Sequence, residues 1–336
     1  MEPRSKPALV IHGGAGARGP AAERPRRRRG MLRAANAGAE ILRAGGSALD
    51  SVLAAVTALE DDPWFNAGYG SVLNIDGRVE MDAALMVARR EKKRRLRIGE
   101  YTSGNAARTA PALTAGAVAA VSRVRNPILL ARAVMERTPH VLMSGPGAER
   151  LAHGAGLKMC RPDDLITPRA RIRLRAMLQM RLDGRAECAG ADLGAHGTVG
   201  AVAIDVRGEI AAATSTGGIT GKLAGRIGDS AIIGAGVFAT RLGGASATGQ
   251  GEAIIRLALC RDAVLALRRL PAEQAAHRAI AELGAATGAE AGIIVIDSHG
   301  RVGYSHNAGA MEVATFDAPR GICHCWAERA GEPARK

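Results

Sequence analysis

Aromatic side chains make up only 2% of this 336-residue chain: three Phe, three Tyr and two Trp. A core of stacked rings is thereby excluded, and packing has to rest on Ala, Val, Leu and Ile. Small side chains let strands and helices approach closely, and the 43 glycines suit tight turns and backbone-lined sites. This points to a layered α/β protein rather than a β-sandwich anchored on Tyr or Trp. Cysteine is scarce as well: Cys160, Cys188, Cys260, Cys323 and Cys325, an odd number, with no apolar signal segment before Ala8. That pattern predicts reduced thiols in a cytoplasm-like compartment and no disulfide framework. Cys323-His324-Cys325 lacks the second ligand pair of a zinc site. No apolar run approaches the ~18 residues that a membrane span needs, so no membrane partner is expected.

Several catalytic signatures are missing too. There is no G-x-S-x-G elbow, no H-E-x-x-H and no G-x-x-x-x-G-K-[ST] phosphate loop. Gly68-x-Gly70 is not followed by the third glycine of a dinucleotide fingerprint. These gaps argue against Ser-elbow hydrolases, metalloproteases and nucleotide enzymes, and no catalytic cofactor is expected.

What the chain does have is positive charge, +14 net. It concentrates in three runs, residues 24–29, 89–97 and 169–181. Aromatic residues do not interleave with these runs as they do in single-strand binders, and no nucleic-acid motif accompanies them. The runs read as solvated surface, with non-specific polyanion association at low salt as the competing reading and no specific nucleic acid as partner.

The apolar pattern gives a coarse layout. Residues 8–11 read as a buried strand entering the turn His12-Gly13-Gly14. After a basic loop, residues 31–44 read as a helix closed by Gly45-Gly46, and Ser47 with Asp50 resembles a capping box opening a second helix. Residues 64–87 suggest a glycine-rich loop and a hairpin turning at Asp76-Gly77. Residues 88–112 look like an exposed charged insertion. Short helices are expected at 127–137 and 147–154. Residues 157–196 lose any clear core face apart from helix-like spacing around 169–182, and structureless stretches of that length are functional or disordered. Farther on, 249–270 and 272–283 read as helices and 292–306 as a hairpin.

The break at Gly197-Thr198 is the most informative boundary. Residues 198–205 and 209–216 are apolar strands around Val206-Arg207-Gly208. If Asp205 and Glu209 flank the turn, Thr198 lies opposite Thr216 and two hydroxyls meet at one end of a hairpin. A threonine after glycine, following a disposable linker and opening a buried strand, suits self-cleavage. Gly197 lacks a Cβ and tolerates the strained backbone that the attack requires. The freed Thr198 would then carry both a nucleophile and a base, because an α-amine has an unperturbed pKa near ~8.

The motifs Thr198-Val199-Gly200-Ala201-Val202-Ala203, Thr214-Ser215-Thr216-Gly217-Gly218, Gly225-Arg226-Ile227-Gly228-Asp229-Ser230 and Gly234-Ala235-Gly236 resemble the plant-type L-asparaginase and isoaspartyl peptidase family of N-terminal-nucleophile hydrolases. His12-Gly13-Gly14-Ala15-Gly16, Asn66-Ala67-Gly68-x-Gly70-Ser71 and Thr248-Gly249-x-Gly251-Glu252 are similar to it in the same order. Each motif is weak alone; the ordered set, from Leu9 to about Phe316, is specific.

The resemblance implies a four-layer αββα sandwich, with residues 1–197 and 198–336 as the two subunits of one protomer, a flexible linker at about 157–197, and a dimer of such protomers. It implies hydrolysis of L-asparagine and β-aspartyl dipeptides with release of L-aspartate. Thr198 would be the nucleophile, Thr216 its polarising hydrogen-bond partner, and Thr248 with the Gly249 N–H the oxyanion donors. Arg226 would clamp the substrate α-carboxylate. Asp229 and the Gly251 carbonyl would take the α-ammonium, and Asn66 would help position the nucleophile. Leu59, Glu60, Phe65, Ala67 and Tyr69 would form a mainly main-chain structural sodium loop. Taken alone, Arg226 and Asp229 read as a surface ion pair at i,i+3. His12, His196 and His306 read as structural.

The chain departs from the family at Met86-Val87-Ala88, where Met-Asp-Gly is frequent, and at Gly221, where Asn is common before Lys222. Glycosylasparaginase is the nearest alternative, but its nucleophile usually follows Asp. Threonine aspartases depart from the Thr-Ser-Thr-Gly-Gly and Gly-Asp-Ser patterns kept here. A non-catalytic polyanion-binding protein retaining the fold is the alternative from another class.

Overall fold

The structure is a computed structural model, and it describes residues 6–17, 19–89, 112–183, 197–317 and, for the backbone alone, 322–328. Strand β1 (Ala8–Gly16) is followed by two helices, α1 (Arg24–Arg43) and α2 (Ala48–Glu60), then by β2 (Met81–Ala88) and β3 (Leu113–Val121). Next come α3 (Pro127–Arg137), β4 (Leu142–Ser144), α4 (Gly145–Gly154) and α5 (Pro168–Leu182). The hairpin β5 (Val199–Ile204) and β6 (Ile210–Thr216) follows. The chain continues through β7 (Val237–Thr240), β8 (Gly243–Gly249), α6 (Gly251–Leu257), α7 (Leu259–Ala266) and α8 (Ala272–Thr287). It closes with β9 (Ala291–Asp297), β10 (Val302–His306), β11 (Ala310–Asp317) and β12 (Ile322–Glu328).

These strands build two sheets. One has eight strands in the order β12-β11-β1-β5-β6-β2-β3-β4, the other four in the order β10-β9-β8-β7. Alternation along each strand sorts side chains between layers. In β5, Val199, Ala201 and Ala203 join the core under α1, α2 and α3, whereas Val202 and Ile204 join the core between the sheets. Ala245 and Ala247 of β8 face α7 and α8. The result is the αββα sandwich that the motif resemblance implies. Its alanine-rich interior explains why so few aromatics suffice.

The hairpin register comes out as the turn argument requires: Val199 pairs with Ser215 and Ile204 with Ile210. Ser47 caps α2, accepting from Asp50 N at 3.0 Å. Helix α3 spans the expected residues, and α4 begins two residues earlier than expected.

Other expectations are corrected. The basic run at 24–29 is the start of α1, not a loop, and Arg27 is 4% exposed. Its guanidinium donates to Gly13 O (2.9 Å), Trp64 O (2.5 Å) and Glu312 (3.0 Å) and lies 4.7 Å from the Phe65 ring centroid. The hairpin expected within 64–87 does not form. Leu73 O accepts from Gly221 N and Ile75 N donates to Lys222 O, while β2 pairs with β6 and β3. The helix expected over 249–270 breaks at Ala258, which is left-handed at φ 47°, because Cys260 N and Arg261 N bond back to Ala235 O and Gly234 O. Within the linker expected over 157–197, the helix-like spacing around 169–182 forms α5, which is capped by Thr167 and buries Ala170, Leu174 and Met177. Residues 90–111, most of the charged insertion, and 184–196, including Cys188 and His196, lie outside the described residues. Strands β11 and β12 were not anticipated.

Candidate active site

The same alternation that fills the cores turns hydroxyls toward the space between the sheets. In β6, Ile210 and Ala212 face that space, so Thr214 and Thr216 do as well, while Ser215 points the other way and donates to Glu60 (2.7 Å). Burial pushes the Glu60 carboxyl up to about 8, against hydrogen bonds from Ser215 and Ile128 N. Thr198 precedes β5 on the inter-sheet side, one register step beyond the Val199–Ser215 pair and hence opposite Thr216. It is 6% exposed. From the second sheet, Ser246 and Thr248 of β8 face the same space.

Around the Gly197–Thr198 peptide the backbone is crowded. Gly14 has φ 113°, and a β-carbon there would lie 2.5 Å from Gly197 N. A β-carbon on Gly197 would in turn lie 2.5 Å from the Thr248 hydroxyl. That hydroxyl accepts from Ala15 N at 3.3 Å. The glycine turn after His12 therefore packs directly on the residue preceding Thr198. His12 is buried, with Nε2 2.9 Å from Ser246 Oγ. Burial lowers its pKa to about 3, and the neighbouring Thr198 backbone raises it only in part. A neutral imidazole at working pH fits the structural reading of His12. His306 sits beside Ala308 O, and burial lowers its pKa too.

Asn66 secures the turn after β6. Its Nδ2 donates to Gly218 O (2.7 Å), its Oδ1 accepts from Val72 N (3.0 Å), and Gly218 N donates to Thr216 Oγ1 (2.9 Å). The hydroxyl contact of Thr198 itself is with Ser230 Oγ, at 3.4 Å. Ser230 belonged to a recognised motif but received no role from the sequence. Its position on the 3-10 turn at Asp229–Ala231 could not be read from spacing.

Arg226 and Asp229 come together, though not as a surface ion pair. Arg226 binds Glu252, Nε to Oε1 at 2.9 Å and Nη2 to Oε1 at 2.8 Å, and Glu252 is 60% exposed. Asp229 is buried, and its Oδ2 has no hydrogen-bond partner. Burial pushes its carboxyl up to about 7, while Arg226 pulls it down. Gly251 closes the group: a β-carbon there would lie 2.8 Å from both Arg226 Nη2 and Asp229 Oδ1. A cation, the Oδ1 of a buried carboxyl and a bare stretch of backbone thus face one point. A zwitterionic α-amino acid end presents the matching groups.

Two neighbours were not singled out from sequence. Lys222 is 1% exposed and donates Nζ to Glu80 O at 2.8 Å. Asp82 is buried and accepts from Gly228 N (3.0 Å) and Ala120 N (2.9 Å). An acidic residue inside an apolar strand was the available signal for Asp82.

The loop at 59–70 is the segment where the resemblance implies a cation. Leu59 O and Ala67 O already accept backbone hydrogens, from Asp62 and Gly70. A β-carbon at Gly68 would collide with Glu60 O, and one at Gly70 with Phe65 O, so bare carbonyls line a fold kept open by glycine. Such oxygens suit a hard cation. Tyr69, under the Arg125 guanidinium at 4.8 Å, lies on the turn between them. Among the described residues there is no cluster of three or more His, Cys, Asp or Glu able to hold a metal.

Residues 5–93 and 109–321 match the asparaginase family. The unmatched gap falls inside the charged insertion. The chain is 42% identical over 294 residues to the isoaspartyl peptidase/L-asparaginase of Mus musculus, covering 87% of this chain and 82% of the relative. It is 41% identical over 320 residues to the isoaspartyl peptidase of Salmonella typhimurium (91% and 94% covered). Against the isoaspartyl peptidase of Escherichia coli K12 the identity is 40% over 318 residues (91% of each).

Proposed function

This chain belongs to the asparaginase family, and from that premise we propose that it is an amidohydrolase acting on L-asparagine and β-aspartyl dipeptides through Thr198. The observation that carries the reading is the burial of Thr198 between the sheets, with the Thr248 hydroxyl against Gly197 and Thr216 across the hairpin. The chain's own peptide occupies the place that a substrate acyl group would take.

In the precursor, the Thr198 hydroxyl attacks the Gly197 carbonyl carbon, and the acyl group passes from nitrogen to oxygen. Water then hydrolyses the ester, leaving a Gly197 carboxylate and a free Thr198 α-amine. That amine accepts the Thr198 hydroxyl proton as the oxygen attacks the substrate's side-chain carbonyl. Thr216 polarises the hydroxyl. Thr248 and the Gly249 N–H stabilise the oxyanion, a stabilisation needed only in the transition state. Collapse of the intermediate expels ammonia or an amino acid, carrying the proton, and water releases L-aspartate from the acyl-enzyme. Arg226 binds the α-carboxylate in place of Glu252, and Asp229 with the Gly251 carbonyl binds the α-ammonium. Asn66 holds the 217–218 turn against Thr216.

Residues 1–197 and 198–336 are proposed as the two subunits after cleavage. A sodium ion, where bound, would be held by the carbonyls of Leu59, Glu60, Phe65, Ala67 and Tyr69. It would neutralise their converging dipoles and take no part in the reaction. A dimer of α/β protomers in a cytoplasm-like compartment completes the proposal. Among the described residues no helix is long and apolar enough to cross a membrane.

The test is intact mass after incubation near neutral pH, beside Thr198→Ala, with a screen on asparagine and β-aspartyl dipeptides. Two fragments breaking at Gly197, hydrolysis by the cleaved protein, and neither in the variant are expected. A wild-type chain that stays whole and hydrolyses nothing would overturn the reading in favour of a binding protein.

A further inference from the structure

One buried carboxylate near the substrate end is used by none of the steps above. Asp82 sits in β2 on the inter-sheet side, between Ala83 and Met81 of an otherwise apolar strand. Its surroundings are unusual on three sides. Toward β3 the register shifts, from Met81 opposite Val121 to Ala83 opposite Val118, so β3 sets two residues against Asp82. One of them, Ala120, is left-handed at φ 50°, a conformation that costs a non-glycine residue energy. The bulge would leave the Ala120 amide unpaired, and Asp82 Oδ1 accepts it at 2.9 Å. Toward β6, Asp82 pairs in register with Thr216. Toward the loop, Asp82 Oδ2 accepts from Gly228 N at 3.0 Å. Gly228 lies between Arg226 and Asp229 and packs against the guanidinium, a β-carbon there falling 2.8 Å from Nη1.

A buried cation lies in the carboxylate's field without touching it. Lys222 is attracted to Asp82 and reaches Glu80 O, two residues before it. Its chain also runs under Gly218, whose amide bonds Thr216. A charge removed from water costs several kcal/mol unless paired and fully hydrogen-bonded, so two opposite charges held at this depth without direct contact are poorly explained by stability alone. What they join is specific: the bulge in β2–β3, the strand end bearing Thr216, and the loop carrying both ends of the amino-acid clamp.

Building on the function proposed above, we infer that Asp82 is a positioning residue for substrate capture. By holding the Gly228 amide it fixes the spacing and direction of Arg226 and Asp229, with the buried Lys222 nearby. It touches neither the scissile peptide nor the reacting carbonyl. Its loss therefore weakens recognition of the amino-acid end more than the chemistry.

Asp82→Asn tests this, because an amide offers one acceptor oxygen where two donors wait and turns an NH2 group toward the other. The readouts are self-cleavage by intact mass, KM and kcat on a β-aspartyl dipeptide, and the inhibition constant of L-aspartate. Expected are normal cleavage, a rise of about tenfold or more in both KM and the inhibition constant, and a kcat within about threefold of wild type. The double variant Asp82→Asn with Lys222→Met removes the stranded cation and separates positioning from stability. It is expected to recover melting temperature while KM stays high, and it carries the test alone should the single variant fail to fold. Unchanged KM in Asp82→Asn, or a KM that returns to normal with stability in the double variant, would overturn the inference. Wild-type protein serves as the control for the underlying function. If it neither hydrolyses the dipeptide nor binds L-aspartate in calorimetry, that function falls and this inference with it. If it does both and the variants match it, only the role of Asp82 is lost.

Discussion

Asp229 carries the clearest consequence at the scale of single residues. Burial raises its pKa to about 7, yet only the carboxylate can pair with a substrate ammonium. Below that pKa the group is neutral and binding suffers; above it the charge is present. KM for a β-aspartyl dipeptide is therefore expected to fall as pH rises through about 7 and to level off beyond. The limb should be absent from the kcat profile, because bound ammonium favours the ionised form. An Asp229→Asn variant should lose the limb along with most of its affinity, and steady-state kinetics from pH 5.5 to 9 would show it. Thr248 makes a different prediction. Its hydroxyl is proposed to act only where charge develops, so Thr248→Ala should lower kcat by about 10²–10³-fold with little change in KM. An equal rise in KM would assign the hydroxyl to ground-state binding instead.

Helix α5 is the instructive element. Its Met177 is 3% exposed, and a β-carbon at Gly221 would collide with the Met177 terminal methyl. Arg181 Nη2 reaches Gly221 O at 3.4 Å. The family's frequent Asn before the buried lysine is thus replaced here by a glycine whose space a helix from the preceding segment fills. Met177→Ala should open a cavity and cost about 2–3 kcal/mol in denaturant unfolding. The Gly221–Lys222 turn bonds Leu73, Ile75 and Glu80 rather than Thr198, so self-cleavage should persist; a variant that unfolds at wild-type denaturant would show that α5 does not brace this turn. The α2 cap is a smaller case of the same kind. Ser47→Ala removes the acceptor for Asp50 N and should cost about 1 kcal/mol.

At the scale of the whole molecule, the two halves are interleaved. Strand β1 lies between β11 and β5, and β2 lies beside β6, so residues before Gly197 form sheet ladders with residues after Thr198 on three fronts. The core between the sheets draws on both halves as well. Cleavage at one peptide cannot part them without unzipping a central sheet. The cleaved protein should elute as one particle in native size-exclusion chromatography and separate only in denaturant. Elution as two separate fragments would contradict the strand order.

Much of this was legible from the chain. Period-two alternation after Gly197, a three-residue turn and apolar flanks were enough to set Thr198 against Thr216, because register in a buried hairpin is fixed by local pattern. The ordered motifs brought Arg226, Asp229, Thr248, Gly249 and Gly251 into consideration with no knowledge of distances. Other features were not local. Whether Arg27 was surface or core depended on Gly13, Trp64 and Glu312, distant in sequence. Ala258 breaks a continuous helical pattern because carbonyls of another segment claim the next turn's amides. The sequence by itself determined the layers and the chemistry available, since periodicity and residue type are properties of short stretches. Only the tertiary structure decided that Glu252 holds Arg226, that Asp229 keeps an unpartnered oxygen and that Asp82 ties the clamp to β2. Burial, and the partners it forces on a charge, exist only once distant segments have closed around it.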